Sequence, residues 1–187
     1  MTQKAIIVSA PSGAGKSTIV HRLMQRFAEM EFSVSACTRP KRGAEAEGKE
    51  YYFLSAEPFL EKVANGEFVE WEEVYPGSYY GTLKSELNRI WGLRKIPVFD
   101  VDVKGGLNLK KYFGASALAF FIQPPSLKIL EQRLRTRSTE SEESLRKRLS
   151  KAEYEMSFAD KFDEVLVNDD LAQTVDQAIV SVRNFLE

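Results

Sequence analysis

Nine consecutive residues, Ala10-Pro11-Ser12-Gly13-Ala14-Gly15-Lys16-Ser17-Thr18, combine two glycines, a lysine and adjacent hydroxyls in an order that suits polyphosphate binding. Gly13 and Gly15 tolerate backbone angles that other residues resist, so successive N–H groups can turn inward and cradle phosphate oxygens at a helix N-terminus. Lys16 adds a mobile positive charge for the outer phosphates, and the Ser17 hydroxyl is placed to ligate Mg2+. The pattern G-x-x-x-x-G-K-[ST] here begins with Ala10, which is tolerable where that residue keeps a negative φ. A glycine-rich turn that binds nothing is the bland alternative, and Lys16-Ser17 between an apolar strand and a helix argue against it.

Three further groups of residues carry charge in useful places. Arg39 and Arg42 stand three apart in a polar loop that runs to Tyr51. The planar guanidinium fork suits bidentate capture of a phosphate, and the Tyr51 hydroxyl can donate to the same oxygens. Asp100 and Asp102 end an apolar run, where two carboxylates can face a Mg2+ shell or a substrate amine. Arg133 and Arg137 share one face of a helical pattern, and Arg148 lies on the next one. Two charged helices joined by Thr139-Glu140-Ser141-Glu142-Glu143-Ser144, which reads as a polar hinge with a capping pattern, suggest a lid. Its arginines would neutralise a migrating phosphoryl group and exclude water. For the two arginine groups the alternative is ordinary solvated charge, and for the two carboxylates a helix cap plus a surface acid.

These residues need elements to hold them. Ala5-Ile6-Ile7-Val8 reads as a buried strand leading into the glycine turn, and Ile19, Val20, Leu23, Met24 and Phe27 recur at helical spacing after it. His21, the single histidine, falls on the opposite face and reads as a surface residue, which leaves no material for a Ser-His or His-metal site. Residues 32–37 alternate like one half-buried strand that carries Ser35 and Cys37. Ser55 opens a helix with Phe59 and Val63 inward, ending near Asn65-Gly66. Phe68-Val69-Glu70-Trp71 reads as a strand with Glu70 pointing away from its apolar neighbours. Residues 75–82, rich in turn residues and phenols, read as a loop, and 83–93 as a helix. Residues 96–102 and 117–122 resemble buried parallel strands, and the edge where the first ends is where open α/β sheets bind ligands. A short strand at 165–167 and a helix from Leu171 to Phe185 close the chain. The run from 39 to 93 is then a small α+β insertion on the phosphate-loop core.

Composition sets the bounds. The 187 residues suit one domain, and 43% hydrophobic with 28% charged residues indicates neither disorder nor a membrane span. Twenty-six basic against twenty-seven acidic residues argue against broad attraction to nucleic acid or anionic lipid. A start without an apolar leader, and one cysteine, Cys37, predict a cytoplasmic protein without an internal disulfide.

Taken in order, several stretches resemble the guanylate kinase family over nearly the whole chain. They are residues 10–18, Ser33-Val34-Ser35 with Thr38-Arg39, Arg42 with Glu45, Gly48 and Tyr51, and Glu67-Phe68-Val69-Glu70-Trp71. Further along come Tyr79-Tyr80-Gly81-Thr82, Asp100-Val101-Asp102, Pro124-Pro125-Ser126, Arg133, Arg137, Arg148 and Asn168-Asp169-Asp170-Leu171. The resemblance implies an α/β fold: a P-loop NTPase-type parallel sheet core flanked by helices, a small α+β GMP-binding insertion and a helical lid. In one domain, 1–187, the core would comprise 1–32, 94–125 and 163–187, the GMP-binding region 33–93 and the lid about 126–162. It implies transfer of the γ-phosphoryl of ATP to GMP, and to dGMP, with Mg2+. Arg39, Arg42, Tyr51 and Tyr80 would hold the GMP phosphate, while Ser35, Glu70, Thr82 and Asp102 would read the base. Glu45 and Asp100 would support this array and the metal's water shell. ATP would lie on residues 10–18, with Lys16, Arg133, Arg137 and Arg148 catalytic, Ser17 on Mg2+ and Asp100 reaching it through water. The partners would be the nucleotides ATP and GMP, with neither nucleic acid nor membrane, in a monomer or homodimer.

Two other classes compete. A guanylate-kinase-like interaction module keeps this fold but has a degraded phosphate loop, against which Gly13, Gly15, Lys16 and Ser17 stand intact. A regulatory GTPase would account for Asp102-Val103-Lys104-Gly105 as D-x-x-G, but the chain has no N-K-x-D element to read the base.

Overall fold

The structure, a computed structural model, describes residues 3–137 and 141–187, with only the main chain at Arg137. In chain order the elements are β1 (Ala5–Ser9), α1 (Lys16–Arg26), β2 (Met30–Phe32), β3 (Ala36–Cys37), β4 (Tyr52–Phe53), α2 (Ala56–Ala64), β5 (Phe68–Tyr75), β6 (Ser78–Leu83) and α3 (Lys84–Gly92). They continue with β7 (Ile96–Val101), α4 (Val103–Phe113), β8 (Ala117–Gln123), α5 (Leu127–Arg137), α6 (Glu142–Met156), β9 (Glu164–Val167) and α7 (Leu171–Leu186).

Every residue of β1 is buried, so neither face of this strand meets water. It forms the centre of a five-stranded parallel sheet in the order β2-β7-β1-β8-β9, covered on both sides as all-parallel sheets require. Ile6 and Val8 pack with Ile19, Leu23, Ala178 and Val182 from α1 and α7. Ala5 and Ile7 face the other way, against Leu87, Leu109, Phe99 and Phe121. Each of these large side chains, buried from water, contributes roughly 1.5–3 kcal/mol. The expected α/β class and parallel core are therefore present.

The second sheet, β4-β3-β6-β5, is mixed and packs Phe59 of α2 against Phe68 and Leu83. It departs from the sequence reading in two places. Residues 32–37 are not one strand: β2 ends at Phe32 in the parallel sheet and β3 begins at Ala36 in the other, so 33–35 cross between sheets. Alternation alone cannot tell which sheet a residue joins. Residues 75–82 are not a loop either, because β5 and β6 pair antiparallel around a two-residue turn, Pro76-Gly77, with Gly77 at φ 72°.

Helix α4 was not anticipated, since Gly105-Gly106 reads as a break in a helical pattern. Both glycines stand at close approaches, the tighter at Gly106. A Cβ on Gly106 would lie 2.2 Å from Ser9 Oγ, and one on Gly105 would lie 3.2 Å from Glu70 Oε2. Asp102 leaves the strand to cap this helix, its carboxylate accepting from the Gly105 N–H at 2.8 Å.

The two sheets are tied by Glu86 on α3, buried and accepting from the Val34 N–H at 2.9 Å, the Tyr52 hydroxyl at 2.9 Å and the Arg89 guanidinium. Helices α5 and α6 pack on each other through Leu130, Leu134, Leu145 and Ala152. Ser141 caps α6 by accepting from the Ser144 N–H, while Thr139 and Glu140 of the expected hinge lie outside the described residues. Among the described residues no helix is long and apolar enough to cross a membrane.

Candidate active site

The glycine turn leaves the carboxyl end of β1 and enters α1, whose N-cap is Gly15 at φ 99°; Gly13 has φ 93°. These left-handed angles are costly for any side chain. Space is also short: a Cβ on Gly15 would meet Asn168 Nδ2 at 2.3 Å, and one on Gly13 would meet Leu134 Cδ2 at 2.7 Å. Ala10 satisfies its condition, because among the described residues Arg94 is the only non-glycine with positive φ.

Parallel pairing of Val8 with Asp100 brings β7 alongside the turn. The Asp100 carboxylate receives the Ser17 hydroxyl at 2.8 Å on one oxygen and pairs with the Lys16 ammonium on the other. Burial pulls the Lys16 pKa down to about 8, although the Asp102 and Glu155 carboxylates act to raise it. Asn168, 5% exposed at the end of β9, donates to the Ala14 carbonyl at 2.7 Å, and its own carbonyl accepts from Arg133 at 2.9 Å. Arg148 donates to the Ser12 hydroxyl at 2.7 Å. Of the three arginines expected in a lid, Arg133 and Arg148 thus reach the turn or its support, and the Arg137 side chain lies outside the described residues.

Next to Lys16 opens a cavity of about 180 Å³, lined by Ser35, Tyr51, Glu70, Tyr80, Asp100 and Asp102 among others. Glu70, expected to point away from Val69 and Trp71 and to read the base, is 8% exposed, whereas Trp71 is 39% exposed. Thr82, its cross-strand partner, donates to Glu70 Oε1 at 2.8 Å. Burial pushes the Glu70 carboxyl up to about 7, and nearby Asp102 adds to the rise while Thr82 opposes it. An ionised carboxylate has about four acceptor positions, so beside the Thr82 bond Glu70 has the capacity to accept a pair of N–H groups.

Arg39 lies at the edge of this hollow. Its fork holds Glu45 bidentately at 2.6 and 2.7 Å, and its guanidinium sits 4.7 Å above the Tyr51 ring. The same contact holds the Glu45 carboxyl down at about 2. Glu45 also accepts from the Arg42 N–H at 2.8 Å, which orders the loop that carries the second, exposed arginine. Cys37 is buried and its thiol is pushed up by burial, as befits a core residue rather than a nucleophile.

Gly105, Glu72, Glu155 and Asn168 received no role from the sequence. A Gly-Gly pair within a helical pattern marks a close approach, and a polar residue ending an apolar strand marks a sheet edge; those were the available signals. Glu155 carries none, since a glutamate on a charged helix looks solvated until packing buries it.

Known proteins match the chain over nearly its whole length. The family model described as guanylate kinase matches residues 2–187. A guanylate kinase of Porphyromonas gingivalis is 50% identical over 184 residues, covering 98% of both chains. One of Bacteroides fragilis is 49% identical over 183 residues, covering 98% of this chain and 90% of its own. The crystal structure of guanylate kinase from Anaplasma phagocytophilum superposes with a TM-score of 0.78 at 30% identity, covering 98% of this chain and 86% of that one. On a match of this extent, the chain belongs to the guanylate kinase family of enzymes.

Proposed function

We propose that the protein transfers the γ-phosphoryl of ATP to the phosphate of GMP, and of dGMP, giving ADP and GDP or dGDP. The observation that carries this reading is that Lys16 of the glycine turn and the buried Glu70 carboxylate line one cavity. A phosphate donor and a base reader therefore share one hollow.

Guanine offers N1–H and N2–H₂ side by side, which one carboxylate accepts together, whereas adenine would set an acceptor against it. A site built on such hydrogen bonds rejects the wrong partner by roughly 10⁴-fold, because the mismatch leaves buried polar groups unpaired. Glu70 takes this pair, with Ser35, Thr82 and Asp102 completing the base contacts. Arg39, Arg42, Tyr51 and Tyr80 hold the GMP phosphate, and Glu45 fixes the direction of Arg39. Residues 10–18 wrap the ATP phosphates.

In the transfer, an oxygen of the GMP phosphate bonds to the γ-phosphorus and the bond to the β–γ bridging oxygen breaks, leaving ADP. Lys16, Arg133, Arg137 and Arg148 neutralise the charge on the moving group, and arginines in this role are worth about 10³ to 10⁵ in rate. The Ser17 hydroxyl and the Asp100 carboxylate, 2.8 Å apart, suit Mg2+, which takes one or two protein oxygens and fills its shell with water and phosphate oxygens. When bound, that ion draws charge from the β- and γ-phosphates. Residues 33–93 act as the GMP-binding region, about 126–162 as the lid, and 1–32, 94–125 and 163–187 as the core.

The test is release of ADP from ATP with Mg2+ and each of GMP, AMP, CMP and UMP. Turnover with GMP alone, or nearly so, is expected; equal turnover with AMP refutes the base assignment.

A further inference from the structure

Tyr75 ends β5 at the tip of the hairpin and is 57% exposed, yet its ring lies 4.8 Å from the Lys151 ammonium of α6. The same ammonium is 3.7 Å from Glu155, one turn further along, which is 7% exposed. Below the contact is a cavity of about 120 Å³ whose walls include Glu72, Val74, Asp102, Lys104 and Glu155. The contact therefore spans the space between the hairpin of the second sheet and the lid helix.

Both ends of the span sit on elements that reach the site, the strand with a register shift between Glu73 and Tyr75. Glu70 lies five residues before Tyr75 on the same paired strand, and Arg148 lies three residues before Lys151 on the same helix. Arg148 touches Ser12 of the glycine turn, and Thr82 joins Glu70 across the hairpin. Glu155 anchors the Lys151 side of the span in the packed interior, so the ammonium is held from two directions, by the ring and by a carboxylate. None of these three residues is used in the phosphoryl transfer described above.

We propose that Tyr75 and Lys151 are a pair of positioning residues that couple occupation of the base pocket to placement of the lid. A base seated on Glu70 holds the hairpin, Tyr75 holds Lys151, and α6 then keeps Arg148 over the phosphate turn. ATP bound at the turn orders α6 from its own side and favours the hairpin position that accepts GMP. The two nucleotides thus bind with positive coupling, and by linkage each raises the affinity of the other by the same factor. This rests on the proposed reaction, since it takes GMP and ATP as the two ligands.

The test measures the dissociation constant of GMP by calorimetry, with and without a saturating non-hydrolysable ATP analogue and Mg2+, and takes the ratio as the coupling. Wild type, Tyr75→Ala, Tyr75→Phe, Lys151→Met and the double variant Tyr75→Ala/Lys151→Met are compared. A cation over an aromatic ring at a partly exposed site is worth about 2- to 5-fold in an equilibrium. Tyr75→Ala and Lys151→Met are each expected to cut the coupling ratio by about that factor and to leave GMP affinity without the analogue within about twofold. Tyr75→Phe keeps the ring and the ratio. The double variant loses no more than either single one, and KM for GMP at saturating ATP rises while kcat stays within about twofold. An unchanged ratio, an additive double variant, or Tyr75→Phe behaving as Tyr75→Ala overturns the proposal. Wild-type turnover of GMP, measured alongside, separates this failure from failure of the reaction assignment.

Discussion

Thr82 donates its hydroxyl proton to Glu70 at 2.8 Å across the β5–β6 pair, and with that bond a carboxylate is held inside the cavity beside Lys16 rather than on the sheet surface. On the proposed reaction, the strand pairing that places Thr82 opposite Glu70 is what would make the pocket selective, because a buried carboxylate with unused lone pairs demands donors from its ligand.

The pH dependence of turnover follows from two displaced groups. On the proposed reaction Glu70, which burial pushes up to about 7, must be ionised to accept guanine N–H groups, and Lys16, which burial pulls down to about 8, must be protonated to hold phosphate. The value of kcat/KM for GMP is expected to form a narrow bell, falling below pH 7 and above pH 8. Glu70→Gln should lower kcat/KM for GMP by roughly 10²-fold or more and abolish the acid limb, while ATP binding changes little. An acid limb retained in the variant would assign it to another group.

The same burial has a cost in stability. A carboxyl raised from 4.5 to about 7 keeps its proton more tightly in the folded protein than in the unfolded one. Stability is therefore highest below pH 4.5 with respect to this group and is lost as pH rises towards 7. At pH 8 the ionised Glu70 disfavours the folded state by about 3 kcal/mol. Glu70→Gln is expected to raise the melting temperature at pH 8 by several degrees and much less at pH 5, as thermal unfolding at the two pH values would show.

Lys16→Ala should suppress transfer with any acceptor, by roughly 10²- to 10³-fold in kcat, because it removes a charge that acts on the migrating group rather than on one base. Single-turnover kinetics with GMP and ATP check this. A full rate in the variant removes the phosphate-turn argument.

Asn168→Ala should leave the Ala14 carbonyl without its donor, while Arg133 keeps its acceptor, the main-chain carbonyl of residue 168. The expected loss is about 1–3 kcal/mol of stability in denaturant unfolding. Affinity for ATP should fall more than affinity for GMP, since Ala14 belongs to the phosphate turn and not to the base pocket. Equal losses for both nucleotides would contradict this division.

How much was legible beforehand differs from residue to residue. The glycine turn was, because positive φ at Gly13 and Gly15 and the N–H cradle are properties of a few adjacent residues. The apolar runs of β1, β7 and β8 were also plain, since a strand buried on both faces carries its burial in its own composition. The break after Phe32 was not: the same alternation fits one strand or two, and pairing with β7 or with β6 decides between them. Helix α4 was hidden by Gly105-Gly106, whose reason lies in Glu70 and Ser9, far away in the chain. The pairing of Arg39 with Glu45 before any phosphate arrives could not be foreseen either, because a loop's internal contacts depend on how its ends are held.

By itself the chain determined where phosphate would be cradled, which runs would be buried, and which side chains were available to carry charge. All of these follow from local backbone freedom and hydropathy over a few residues. Tertiary structure alone decided that Glu70 would be desolvated, that Asn168 would brace the turn and that Tyr75 would meet Lys151. A carboxylate's proton affinity and a cation's partner depend on what distant segments place around them, and those distances exist only once the two sheets and helices α5 and α6 have packed.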